Sequence, residues 1–168
     1  ATATEEFSQK TLEAFRIELT EQSNKINQQA KLLAERQQAV TDAFSILDEQ
    51  ATLANIEEKL KGPLNATEKL GYQQYQKELQ NQIAAAGMAQ KYLSVTQRAD
   101  GTMDIDFNNT QFEQDKQNGL LTEETAKAIQ DYVKKIEEAT GDLNGAYNNL
   151  QDELNGMHDN LSQLQDQW

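Results

Sequence analysis

The stretch from Thr122 to Trp168 constrains the fold most, because its apolar residues recur every seven positions in two interleaved series. The first series is Ile129, Ile136, Leu143, Leu150, Met157 and Leu164, and the second is Val133, Thr140, Tyr147, Leu154, Leu161 and Trp168. The alternating offsets of four and three residues between the series give the 3.5-residue repeat of a coiled-coil seam. The pattern predicts a long helix C over 122–168 that packs along at least one other helix.

A second heptad repeat runs through the first part of the chain. Its apolar members are Leu12, Leu19, Ile26, Leu33, Val40 and Leu47, and they are flanked by Gln22, Gln29, Arg36 and Gln37. These polar neighbours predict a wetter seam than that of helix C. Near Leu47 the repeat slips by one residue, and it then continues to Gly62-Pro63, a strong stop signal for a helix. We predict one unbroken helix A over about 4–61.

A further helix is predicted directly after the proline. Asn65 suits the N-cap position, and Glu68 completes a capping box three residues later. Helical spacing of apolar residues then predicts helix B over about 65–93, and its short link to helix A predicts an antiparallel helical hairpin within 1–98. Helix B is about half as long as helix A. We therefore expect helix B to pair with the distal half of A, while helix C runs antiparallel along the proximal half.

The segment 94–121 is predicted to be an insert, since its apolar period alternates around the turn dipeptide Asp100-Gly101. The alternation predicts a β-hairpin in which Val95 pairs with Phe107 across a three-residue loop. A lone two-stranded hairpin is marginal in water. We therefore expect the hairpin to pack the face that carries Ile105 and Phe107 on the helices.

A short helix is predicted to complete the insert. It covers 109–117 with Phe112 facing inward, and Asn118-Gly119 ends it. Thr122 then provides an N-cap for helix C, with acidic residues in the first helical turn.

Together these elements predict an all-α fold, an elongated antiparallel coiled-coil helical bundle of three helices with a small β-hairpin insert. The predicted order is a long helical hairpin over 1–98, the β-hairpin and short-helix insert over 94–121, and the long heptad helix over 122–168. Both ends of the chain lie within or beside long helical patterns. This placement predicts a fragment of a larger protein.

Composition and motifs restrict the function. The net charge of -13 disfavours nucleic acid and anionic membranes as direct partners, and no apolar run approaches the roughly 18 residues of a membrane span. The chain has no cysteine and a single histidine, His158, which is too few for a zinc site of the usual type. It also has no glycine-rich nucleophile elbow and no phosphate-binding loop. We predict a protein that is not an enzyme and that uses no cofactor or metal.

The acidic hairpin raises one alternative, a calcium site. With Gly101 at the sixth position of an EF-hand loop, Arg98 and Phe107 occupy positions that require oxygen ligands, which excludes that motif. A looser calcium site on Asp104 and Asp106 is the alternative to a solvated strand face.

The helix seams predict protein partners, including further copies of this chain in a dimer or a trimer. The sequence leaves open whether the seams close within one chain or between chains. The predicted interface residues are Leu12, Leu19, Ile26, Leu33, Ile129, Val133, Ile136, Leu143, Tyr147, Leu150, Leu154, Met157, Leu161 and Leu164.

The order of elements over about 92–163 resembles coiled-coil segments of large phage tail proteins of the tape-measure type. The resemblance rests on a strand pair that ends in Met-Asp-Ile-Asp-Phe, a short polar helix, and Leu-Leu-Thr-Glu-Glu-Thr leading into Tyr-Val-Lys-Lys-Ile-Glu-Glu. It implies a structural, self-associating part of a virion with no catalytic residues. An acidic, cysteine-free, amide-rich helical hairpin also resembles the coiled-coil ectodomain of an exported bacterial secretion-system translocator or tip protein. That alternative implies protein-protein interaction at the cell surface or outside the cell.

Overall fold

The computed structural model describes the backbone of residues 2–167 and the side chains of residues 9–166. This part of the chain is mostly helical with one small antiparallel sheet, as predicted. Its elements are α1 (Thr2–Phe44), α2 (Leu47–Leu60), α3 (Ala66–Ala89), β1 (Leu93–Gln97), β2 (Met103–Phe107), α4 (Asn109–Gln117) and α5 (Glu123–Gln167). Two compact units divide the chain: unit 1 joins Ala1–Gln37 to Asp142–Trp168, and unit 2 is Gln38–Gly141.

The predicted helix A is two helices, so the expectation of an unbroken helix was wrong. Between α1 and α2, the Ser45 N–H is shared between the carbonyls of Thr41 and Asp42 at 3.1 and 3.2 Å. The Ser45 hydroxyl oxygen then accepts from the Leu47 N–H at 3.2 Å, which offers the backbone a local alternative to the helix. The break falls where the heptad repeat slips, and Leu47 is 71% exposed.

Helices α2 and α3 form a hairpin around Gly62-Pro63 and pack side by side. The predicted cap of α3 is confirmed, since the Asn65 side chain accepts from the Glu68 N–H at 2.8 Å and donates to the Glu68 carboxylate. The α3 helix ends at Ala89, before the predicted end at 93, because the chain turns there and enters β1.

The β-hairpin forms with its predicted face, but the register differs by two residues. Val95 pairs with Ile105, and Leu93 pairs with Phe107, where we expected Val95 opposite Phe107. A shift of two residues keeps every side chain on its predicted face, because side chains alternate along a strand.

Loop chemistry sets this register. The Arg98 N–H donates to the Thr102 carbonyl at 2.8 Å, which leaves a loop of three residues as predicted, but one position earlier. The Asp100 carboxylate accepts from both the N–H and the hydroxyl of Thr102, at 3.0 and 2.6 Å. Gly101 then takes the left-handed position, with φ of 92°, as the last loop residue.

The core of unit 2 joins the end of α3, the insert and the first turns of α5. Phe112 of α4 is fully buried, as predicted, and its ring meets Tyr92 and Phe107 at centroid distances of 5.5 and 5.2 Å. The buried members of this core are Ala85, Ala89, Tyr92, Phe112, Leu121, Ala126, Ile129 and Val133. The predicted cap of α5 is also confirmed, since Thr122 accepts from the Thr125 N–H at 3.1 Å.

Candidate interaction surface

The predicted seam of α5 is divided between the two units. Within unit 2, Ile129, Val133 and Ile136 are 0, 4 and 0% exposed. Two of them, Ile129 and Val133, pack in the core with Ala85 and Ala89 of α3. These three seam residues are therefore internal packing residues and offer no surface to a partner.

Within unit 1, polar side chains connect α1 to α5 in an antiparallel sense. Arg36 Nη1 lies 4.0 Å from Asp142 Oδ2. Further along, Asn160 Nδ2 donates to Gln22 Oε1 at 2.8 Å and to Glu18 Oε1 at 3.2 Å. Residue numbers fall along α1 as they rise along α5, so the two helices run in opposite directions.

The contacting residues define a polar side of this helix pair. Gln22 and Arg36 belong to the flanking series that predicted a wetter seam. A Cβ on Gly156 would lie 3.5 Å from Gln22 Nε2, so the glycine also faces this side. The contact made by Asn160 could not be predicted from the sequence. Its heptad position, seven residues after Glu153, does not distinguish it from the many other amides of the helix.

The other predicted seam residues of unit 1 range from buried to exposed. Leu143 is 4% exposed, whereas Leu12, Leu154 and Leu161 are 44, 41 and 41% exposed. The half-buried members are Leu19, Ile26, Leu33, Tyr147, Leu150, Met157 and Leu164. Trp168, the last member of the heptad series, lies outside the described residues.

Helical phase turns Leu19 and Leu161 to one side of the line of polar contacts. Leu161 follows Asn160 by one residue, or about 100° around α5. Leu19 lies about 60° around α1 from Gln22 in the same rotational sense. Because the helices are antiparallel, equal senses of rotation turn both leucines toward one side of the pair. We call this the apolar side, formed by Leu12, Leu19, Ile26, Leu33, Tyr147, Leu154 and Leu161.

Carboxylates are missing from the α5 part of the apolar side. The residues beside its three apolar members, at the next helical turn, are Gln151, His158 and Gln165. All the acids of α5 within unit 1 lie about 100° or more around the helix from Leu154; they are Asp142, Asp152, Glu153, Asp159 and Asp166. The acids of this part of α5 therefore point away from Leu154.

Unit 2 contains a cavity of about 520 Å³ beside the start of α2. Tyr132 donates its hydroxyl proton to the Phe44 carbonyl at 3.0 Å, and Lys135 Nζ lies 3.9 Å from Glu49 Oε1. Burial and the Glu49 charge raise the pKa of Tyr132. Acidic and basic side chains both line the cavity, including Lys77. The arrangement offers ion pairs and a protonated phenol, with no nucleophile held by a base.

A buried polar cluster fastens α4 to the end of α3. The Asp115 carboxylate, only 2% exposed as a residue, accepts from Lys91 Nζ at 2.7 Å, from the Tyr92 hydroxyl at 2.5 Å and from Gln111 Nε2 at 2.9 Å. Hydrogen bonds from Lys91 and Tyr92 lower the pKa of Asp115 to about 2. Burial, and then the bond to Asp115, raise the pKa of Tyr92 to about 12. Both groups keep their protonation states throughout neutral pH, as suits a structural role.

Residues 9–166 contain no cluster of three His, Asp or Glu side chains that could hold a metal ion, and Asp104 instead lies 3.5 Å from Arg98 Nη2. In the same part of the chain, no helix has both the length and the apolar character that a membrane crossing requires. Comparisons with protein-family models, with curated proteins and with solved structures find no match to this chain.

Proposed function

We propose that this chain is a non-enzymatic structural segment that self-associates through the apolar side of unit 1, as part of a larger protein of phage-tail type. The observation that supports the proposal is the pair of 41% exposed leucines, Leu154 and Leu161, on a stripe without carboxylates. Water-exposed apolar stripes that are rimmed by polar residues mark interaction sites. In this reading the unit 1 helices form part of an antiparallel coiled-coil bundle that a second copy completes.

Charge favours a second copy as the occupant. The α1 part of unit 1 is nearly neutral, with five basic residues beside six acids, whereas the α5 part carries five acids and no Lys or Arg; the basic residues are Lys10, Arg16, Lys25, Lys31 and Arg36. A two-fold axis parallel to the helices would place α1 of each copy over α5 of the other. The apolar sides would then meet in the centre, and the acidic α5 of each copy would face the nearly neutral α1 of the other copy and not a second acidic α5.

The size of the effect follows from exposed area. Burying the exposed 41% of one leucine contributes about 0.6–1.2 kcal/mol, given about 1.5–3 kcal/mol for a whole side chain. Two leucines in each of two copies give about 2.5–5 kcal/mol. Since 1.4 kcal/mol is a factor of ten, replacing both leucines should weaken the dimer at least ~50-fold.

The test is light scattering and sedimentation over a concentration series, with circular dichroism on the same samples. The chain should associate in a concentration-dependent way, and Leu154→Gln/Leu161→Gln should weaken that association at least ~50-fold with its helices retained. The matched control is Leu70→Gln/Leu120→Gln, which changes leucines that are 56 and 63% exposed in unit 2. A monomer at every concentration, or equal loss of association in both double variants, would contradict the proposal. The monomeric result would favour the secretion-system ectodomain instead.

A further inference from the structure

The β-hairpin of unit 2 has two outer edges that differ in character. Hydrogen bonds from Arg98 N–H to the Thr102 carbonyl and from Asn108 N–H to the Tyr92 carbonyl, both 2.8 Å, show which residues of β1 face β2. Backbone groups alternate along a strand, so the even-numbered residues of β1 bond to β2. The N–H and C=O groups of its odd-numbered residues point to the outer edge; they are Leu93, Val95 and Gln97.

The outer edge of β1 is exposed and carries no charge. The five residues of β1 are Leu-Ser-Val-Thr-Gln, and every one after Leu93 is exposed, including Val95 at 44%. Natural proteins usually protect an edge strand with charged side chains, proline or a covering element. Strand β1 has no charged residue and no proline, and in the part of the chain that the structure describes, only β2 pairs with it.

We propose that β1 pairs antiparallel with β1 of a second copy about a two-fold axis at Val95. In this register Val95 lies opposite Val95, and Leu93 lies opposite Gln97, so each outward-facing residue meets another outward-facing residue. The three pairs exchange six backbone hydrogen bonds. On the other face Ser94 lies opposite Thr96, a favourable cross-strand pair. The product is a four-stranded intermolecular sheet.

The same geometry explains why β1, and not β2, forms the contact. The outward-pointing backbone groups of β2 belong to Met103, Ile105 and Phe107. A two-fold pairing of β2 with β2 of a second copy would therefore centre on Ile105. Asp104 of one copy would then lie opposite Asp106 of the other, which brings four carboxylates together. Like charges directly opposite each other destabilise a sheet. Of the two edges, only that of β1 is compatible with self-pairing in a chain of net charge -13.

This contact lies in unit 2 and does not depend on the apolar side of unit 1. Its test is therefore made in the Leu154→Gln/Leu161→Gln background, where failure of one proposal leaves the other measurable. The chain has no cysteine, so Val95→Cys introduces a single thiol. Residues in a hydrogen-bonded antiparallel pair have Cα atoms about 5.5 Å apart, which suits a disulfide. Under mild oxidation, Val95→Cys should form the covalent dimer at least tenfold faster than Ser94→Cys or Ile105→Cys.

A second variant blocks the contact while it preserves the hairpin. Ser94→Lys/Thr96→Lys places lysines beside Asp106 and Asp104 of β2 within one chain, but it would bring four lysines together in the dimer. Adding it to Val95→Cys should remove the tenfold advantage at low salt and restore part of it at high salt. Equal oxidation rates at positions 94, 95 and 105, or an advantage at 95 that the lysines do not alter, would overturn the proposal.

Discussion

Replacing Phe112 by alanine should release the insert from the rest of unit 2. Phe112 is 0% exposed, and its ring contacts Tyr92 and Phe107 at 5.5 and 5.2 Å. Truncating a fully buried phenylalanine costs about 3–5 kcal/mol, which includes the contribution of the two ring pairs. The nine-residue α4 is shorter than the ~12–15 residues that an isolated helix needs, and a two-stranded hairpin is marginal alone. The loss should therefore concentrate between 93 and 117.

Hydrogen exchange followed by mass spectrometry measures this loss segment by segment. At 1.4 kcal/mol per factor of ten, protection over 93–117 should fall roughly 100- to 4000-fold. Val95→Ala is the matched control, since Val95 belongs to the same hairpin but is 44% exposed, and it should cost less than about 1 kcal/mol. The reasoning would be refuted if Phe112→Ala cost no more than the control, or if α2 and α3 lost more protection than the insert.

Two further predictions concern buried polar groups. The Thr140 hydroxyl is buried without a hydrogen-bond partner among the described residues, so Thr140→Val should raise the free energy of unfolding, measured in denaturant melts, by about 1–2 kcal/mol. The control is Thr20→Val, which removes an exposed hydroxyl that donates to the Arg16 carbonyl and should change the free energy of unfolding by less than about 0.5 kcal/mol. Equal effects of the two substitutions would contradict the prediction. Because the pKa of Asp115 is lowered to about 2 and that of Tyr92 raised to about 12, the stability they contribute should be lost as pH falls from about 4 to 2 and as it rises from about 10 to 12. A plot of melting temperature against pH should show both losses. Asp115→Asn should remove most of the fall in melting temperature at acid pH. If Asp115→Asn leaves that fall unchanged, this cluster is not its cause.

Local hydrogen bonding explains which parts of the fold could be predicted. The caps at Asn65 and Thr122 and the stop at Asn118-Gly119 depend on a few adjacent residues, and the structure has all of them. The break after Phe44 was missed because Ser is compatible with a helix interior until its hydroxyl competes for a backbone N–H. The heptad slip near Leu47 was the available signal. The structure shows that this slip marks an interruption of the helix.

The hairpin register shows how a correct loop length can still be misplaced. Apolar alternation identified the faces, which two registers satisfy equally well. The choice between them depends on the Asp100 side chain, whose bonds to Thr102 leave Gly101 as the left-handed residue at the end of the loop. Spacing of apolar residues carries no information about that bond.

The sequence predicts which residues form the apolar stripe of α5, but not which way that stripe faces relative to α1. Heptad spacing identified Leu154 and Leu161, yet it did not show whether they face α1 or solvent. The contacts of Asn160 and Arg36 decide this, because they turn the polar flank of α5 toward α1. The Asp115 cluster was missed for a similar reason. The sequence pattern predicts a surface position for an aspartate in a short polar helix, and it does not show that Lys91 and Tyr92 pack against this one.

The distribution of the buried core supports association through unit 1. Among the residues whose side chains are described, the buried apolar residues of unit 1 are Leu143 and Ala146, and the rest belong to unit 2. Helices in proteins gain most of their stability from packing an apolar face. Yet the α1 and α5 segments of unit 1 leave Leu12 and Leu154 more than 40% exposed, and the buried Gln29 Oε1 has no hydrogen-bond partner within the described residues. Packing within one chain therefore leaves part of the heptad pattern of unit 1 exposed. The apolar side of a second copy would use it.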